Sequence, residues 1–175
     1  MVIFVAGVHG VGKTYLCERV AAATGIKHSS ASSLIKSELN SQNWNSSKLV
    51  SDIDSNQIAL TKAVKNLTSN GEVLLLDGHF VLKSAEGQLS EIEEGTFQDL
   101  SLSAVVLIEA PTGVVKHRLS LRDKNFSAGD ISTFLEAEKE RAIYISNLLK
   151  IPITTLSQPT EQVFQEVISN ILQNH

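Results

Sequence analysis

Several features are scarce in this chain, and each scarcity removes a class of protein. Its 175 residues include a single cysteine, Cys17, so no disulfide can form within the chain and a reducing compartment suits it. Cys17 falls inside the first predicted helix, where a small buried apolar residue is the expected role. No run of about 18 apolar residues occurs, so no segment is expected to span a membrane. The apolar start at residues 2–6 is too short for a signal peptide, and the chain is expected to be cytoplasmic. With 15 Lys and Arg against 19 Asp and Glu, the formal net charge is −4. That lacks the basic excess of a protein that grips nucleic acid through its phosphates, so nucleic acid is not an expected partner. A small nucleotide needs only a local positive pocket and stays open. His28, His117 and His175 show no metal-ligand spacing, and no internal repeat appears.

What is present alternates strand with helix. Val2-Ile3-Phe4-Val5-Ala6 is a β-branched and aromatic run that Gly7 ends, as in a fully buried strand. Residues 13–24 read as a helix with Leu16, Val20 and Ala23 on one face and Gly25 as its stop. A weak strand at 26–28 leads into a polar stretch, 28–56, in which ten residues are serine. One short helix around Leu34, Ile35 and Leu39 and then a loop are expected there. Residues 52–69 form a better helix, packed through Ile53, Ile58, Leu60, Val64 and Leu67. Further strands are read at 73–76, 104–108 and 151–156, and helices at 113–122, 130–149 and 160–172. In the longest, Ile131, Phe134, Leu135, Ala142, Ile145 and Leu148 form the packing side. The acidic stretch 83–99 reads as a surface loop. This pattern makes one α/β domain over 1–175, a parallel sheet with helices on both faces.

The chemistry starts at Gly7-Val8-His9-Gly10-Val11-Gly12-Lys13-Thr14, which matches a phosphate-binding loop between a buried strand and a helix. Its glycines let backbone N–H groups turn inward, and the helix N-terminus adds partial positive charge. Gly7, His9, Gly10, Val11, Gly12, Lys13, Thr14 and Tyr15 are the expected ATP contacts. Lys13 would reach the β- and γ-phosphates, and Thr14 would ligate Mg²⁺. Asp77 ends the third strand at the edge where such sheets bind ligands, and is open to three readings. It could enter the Mg²⁺ shell, orient an acceptor, or cap the turn at Gly78. His79 is open as a general base, an acceptor contact or a structural histidine. Arg118 and Arg122 share a helix face, and Arg141 follows on the next helix. All three suit charge stabilisation on a transferring phosphoryl group, with surface ion pairing as the alternative. Lys36 could meet an anionic acceptor, and Trp44 could stack on a base or cover an apolar patch.

On these residues the chain resembles the small P-loop nucleotide kinases, in particular the archaeal-type adenylate kinases and the related eukaryotic isoenzyme 6. Their loop reads Gly-x-Pro-Gly-Val-Gly-Lys-Thr, and His9 stands at the proline. Ser33-Leu34-Ile35-Lys36 is similar to the start of their acceptor helix, with Ser33 where aspartate is frequent. Asp77-Gly78-His79 looks like their Asp-x-His. The resemblance implies a five-stranded parallel sheet of order 2-3-1-4-5 and phosphoryl transfer from ATP to a nucleoside monophosphate. It also implies Lys13, Arg118, Arg122 and Arg141 around the phosphates. Residues 28–56 would form the acceptor arm, with Lys36, Asp77, Gly78 and His79 at the acceptor, and 122–130 a short lid. Two other functions stay open: an ATPase switch acting on a protein or RNA partner, and a kinase of a non-nucleotide small molecule.

Overall fold

The computed structural model describes residues 1–41, 53–84, 87–122 and 131–174. Trp44 and most of the expected lid lie outside them. Along the described chain the order is β1 (Val2–Ala6), α1 (Lys13–Thr24), β2 (Lys27–Ser30), α2 (Ala31–Ser41), α3 (Ile53–Thr68) and β3 (Leu74–Asp77). Then come β4 (Val81–Lys83), β5 (Leu89–Glu91), α4 (Glu94–Asp99), β6 (Ala104–Glu109), α5 (Thr112–Arg122), α6 (Ile131–Leu149), β7 (Ile153–Ser157) and α7 (Glu161–Gln173).

Five strands make a parallel sheet in the order β2-β3-β1-β6-β7. Every residue of β1 and β3 is buried, so both faces of the central sheet are covered, which parallel pairing demands. Helices α1 and α7 pack together as one covering group, and α3, α4 and α6 form the other. The expected order 2-3-1-4-5 differs in its numbering, because β4 and β5 intervene as a separate antiparallel hairpin. The expected loop at 83–99 is therefore corrected: it holds part of that hairpin and α4. Charge hid the signal. Thr96, Phe97 and Leu100 are buried, while Glu91, Glu93 and Asp99 around them face outward.

Local chemistry explains where the helices start and stop. Gly12 and Gly25 flank α1 in left-handed conformation, at φ 108° and 76°, and Gly25 N–H closes the helix on Ala21 O at 2.9 Å. Ser30 caps α2, its hydroxyl accepting the Ser33 amide at 3.2 Å. Thr160 does the same for α7 through the Val163 amide at 3.3 Å. Two expected packing residues are corrected. Ile58 is 69% exposed and Leu148 40% exposed, because helical spacing alone does not say how wide the buried stripe is.

Under the C-terminal edge of the sheet lies an aromatic knot. Phe4 meets Phe80 edge-on at 5.0 Å and Phe97 at 5.7 Å, and Phe80 meets Phe97 at 4.7 Å. Gly78 fits against it, since a Cβ there would lie 2.8 Å from the Phe4 ring. These contacts bind β1, the turn after β3 and α4 into one unit. Truncation by Phe97→Ala should cost about 3–5 kcal/mol, read as a lower urea midpoint at unchanged slope.

Candidate active site

The loop between β1 and α1 is shaped by backbone that only glycine adopts easily. Gly7, Gly10 and Gly12 have φ of 139°, 88° and 108°. At Gly7 space adds a second constraint, because a Cβ would stand 2.3 Å from Ile108 O on the neighbouring strand. Gly12 has no side chain to cap α1, so no side chain competes for the helix's first-turn amides. Such a cradle at a helix start fits the phosphates of a nucleotide.

The Gly7 peptide is held from several sides. Its N–H donates to Glu138 Oε1 at 3.0 Å, and its carbonyl accepts from Lys13 Nζ at 2.5 Å. Lys13 also reaches Val8 O at 3.3 Å and is only 6% exposed. Above the loop, Arg118 donates to Gly10 O and Val11 O, both at 3.0 Å. A buried ammonium thus lies under the loop and a guanidinium grips its crest. Thr14, in the first turn of α1, has its side chain exposed. Among the described residues no three His, Cys, Asp or Glu side chains converge as a metal site.

Beside the loop stands the segment that follows β3. Asp77 is 5% exposed, and its Oδ2 lies 2.8 Å from His28 Nε2 on β2. In register Asp77 sits opposite Val5 and Ser30, so it shares the C-terminal edge with the loop. The His79 ring lies against that of His9, tilted by 54° at 4.2 Å between centroids, and its Nδ1 is buried without a hydrogen-bond partner. Burial, then the charge of Lys13, then His9 push the His79 pKa down to about 2, against a weaker opposing bond to the Gly7 backbone. His79 is therefore neutral at physiological pH.

The structure gathers Gly7, His9, Gly10, Val11, Gly12, Lys13, Arg118, Asp77, Gly78 and His79 at one edge. Two expected site residues have other side-chain partners in the structure. Arg141 is engaged elsewhere: it donates to Ile92 O at 2.9 Å, pairs with Glu91 at 3.0 Å and lies over the Tyr144 ring at 5.0 Å. It anchors the hairpin, because the acidic stretch that looked like loop supplies its counter-charge. Tyr15, expected at ATP, bonds Glu161 of α7 through its hydroxyl, and Arg19 pairs with the same carboxylate at 2.9 Å. Lys36 lies exposed on α2. Arg122 closes α5, and its side chain lies outside the described residues.

Sequence reasoning missed Glu138 and His28. Glu138 is 1% exposed and accepts from three backbone amides, those of Gly7, Phe80 and Val81. Its signal was there: it falls at helical spacing between Phe134 and Ala142, on the apolar side of α6. Burial pushes its carboxyl pKa up, while the Phe80 and Val81 amides, Lys13 and the Gly7 amide pull it back.

Comparison with known proteins names the frame. A family model for the AAA domain matches residues 6–134, from the end of β1 into α6. The chain belongs to the AAA domain family. No curated protein sequence matches this AAA-domain chain. Among solved structures, it is similar to shikimate kinase from Aquifex aeolicus, at 14% identity and TM-score 0.58, over 99% of this chain and 98% of that one. It is also similar to shikimate kinase from Acinetobacter baumannii in complex with shikimate, at 17% identity and TM-score 0.59, over 99% and 93%. A gluconokinase from Sinorhizobium meliloti follows at 15% identity and TM-score 0.53, over 98% and 91%. At these identities the likeness shows the fold alone, which is that of the P-loop kinases. No helix among the described residues is long and apolar enough to cross a membrane.

The His79 environment sets a pH dependence. Its folded pKa lies below its unfolded one, so below about pH 6.5 the unfolded chain takes up a proton that the folded chain refuses. Stability is then lost as pH falls, by about 2 kcal/mol from this group between pH 7 and pH 5. Urea unfolding across that range should show a shallower decline in His79→Phe than in the wild type. Equal declines would show that His79 titrates normally.

Proposed function

We propose that the protein is an ATP- and Mg²⁺-dependent kinase of a small hydroxyl-bearing acceptor. The observation that carries this reading is the loop itself: a glycine cradle with Lys13 buried beneath it and Arg118 bonded to its crest. In this reading Gly10, Val11 and Gly12 offer their amides to the phosphates. Lys13 leaves the carbonyls of Gly7 and Val8 to meet the β- and γ-phosphates, and Arg118 adds charge from above. Thr14 is assigned to the cation, whose role would be to offset charge on the β- and γ-oxygens. The acceptor hydroxyl attacks the γ-phosphorus, a new O–P bond forms as the bridging P–O bond breaks, and ADP leaves. Asp77, oriented by His28, takes the hydroxyl proton. Positioning and charge do most of the work.

The acceptor side consists of the serine-rich end of β2 and start of α2, Lys36, and the Asp77-Gly78-His79 turn. Serine hydroxyls and a single carboxylate–imidazole pair suit a hydroxylated metabolite, and the solved structures of similar fold are named for shikimate and gluconate. The resemblance to adenylate kinases supports a nucleoside monophosphate instead. With Arg141 committed to the hairpin, that reading has one arginine fewer for a second phosphate. The single domain, with its acceptor arm at 28–56 and lid at 122–130, belongs to the same proposal.

One panel separates these acceptors. ADP release from Mg·ATP is followed with hydroxy acids, sugar acids, sugars and nucleoside monophosphates, against a Lys13→Ala control. At least one acceptor should raise ADP release 100-fold or more above the control, with the hydroxylated acids ahead of the monophosphates. Turnover no faster than the control with every acceptor would overturn the kinase reading.

A further inference from the structure

We propose that Glu138 is a positioning residue that clasps the phosphate loop to the turn after β3, holding donor and acceptor sides in one fixed relation. The inference rests on the kinase reading above and assigns a role to a residue outside it. Glu138 Oε1 accepts from Gly7 N at 3.0 Å and from Phe80 N at 3.1 Å. Its Oε2 accepts from Phe80 N at 2.9 Å and Val81 N at 2.8 Å. One carboxylate therefore spans the first residue of the donor loop and the two residues that follow His79.

An acid is a costly choice at this place. Ile131, Phe134, Ala142 and Ile145 on the same helix are all buried, and an apolar residue at 138 would complete that stripe. Burying a carboxylate costs several kcal/mol unless hydrogen bonds and charge offset it. Here backbone amides and the nearby Lys13 offset part of that cost. A glutamine could not replace it: its one amide oxygen can accept, but its NH₂ would face an N–H donor.

The clasp matters most when phosphate arrives. In the structure Lys13 holds the Gly7 and Val8 carbonyls, and binding a nucleotide draws its ammonium to the phosphates. The bond from Gly7 N to Glu138 does not involve that ammonium, so it can keep the loop's first peptide in place once Lys13 has turned. The same carboxylate keeps Phe80 and Val81, and with them His79, at a set position beside the loop. A group that only satisfied buried amides would support folding without favouring the loaded loop.

The test compares Mg·ADP affinity by calorimetry with thermal stability, in wild type, Glu138→Gln and Glu138→Asp. Ile168→Ala serves as a control that loosens the core at α7, away from the loop. Glu138→Gln should bind Mg·ADP at least tenfold more weakly than wild type, and Glu138→Asp should fall between them. Ile168→Ala should lower the melting temperature and keep wild-type affinity. If Glu138→Gln does not fold, Glu138→Asp carries the same comparison. Affinity within twofold of wild type in the folded variant overturns the clasp and leaves the kinase reading standing. A wild type that binds no Mg·ADP overturns the nucleotide site, and the clasp with it.

Discussion

The nucleotide end of this molecule depends on one peptide, that of Gly7. Its N–H goes to Glu138 and its carbonyl to Lys13, and its α-carbon stands too close to Ile108 O for any side chain. Sheet, loop and helix α6 therefore meet at one backbone unit that has no room to shift. The loop's shape follows from this, because Gly10 and Gly12 can turn their amides inward only from a fixed start. Interiors packed to crystal-like density transmit such a constraint rather than absorb it.

Helix α6 is the organiser of that end. Over a single turn it presents Glu138 to the phosphate loop and Arg141 to the hairpin. The two side chains do opposite jobs with one material, charge. Glu138 gathers backbone donors in the interior, and Arg141 gathers a backbone carbonyl and the Glu91 carboxylate at the margin. The Phe4, Phe80 and Phe97 knot lies between the same elements, so apolar packing and polar clasp act on the same segments. The exposed Tyr15, Arg19 and Glu161 cluster joins α1 to α7 at the surface, where screening leaves it little energetic weight.

Much of the fold was legible because its signals are local. The run at residues 2–6, the helix at 13–24 and the glycine at 25 each declare themselves within a few residues, and the first helix appears with its expected bounds. The hairpin was not legible, since strands of three residues are too short for a period to show. What secures them is distant: Arg141 meets Glu91 and Ile92 from about fifty positions away. The candidate site divides the same way. Gly7, Gly10, Gly12 and Lys13 could be read from spacing, because a phosphate cradle needs those residue types in that order. Arg141 and Tyr15 could not be placed, since a side chain's partner is chosen by whichever opposite charge or hydroxyl acceptor the fold brings near. Glu138 falls as an acid on the apolar face of α6, but the amides it meets, those of Gly7, Phe80 and Val81, lie about sixty to 130 positions away.

By itself, then, the sequence determined a phosphate loop between a buried strand and a helix, in an alternating α/β chain. Glycine's freedom at positive φ and the periodicity of apolar residues act over one turn or one strand, so no tertiary contact is needed to express them. Only the tertiary structure decided which charges serve the loop and which serve the frame. Glu138 went inside to three backbone amides, Asp77 to His28, and Arg141 to the hairpin. The physical reason is that a charge's energy depends on its surroundings more than on its identity. Those surroundings are assembled from segments far apart in the chain.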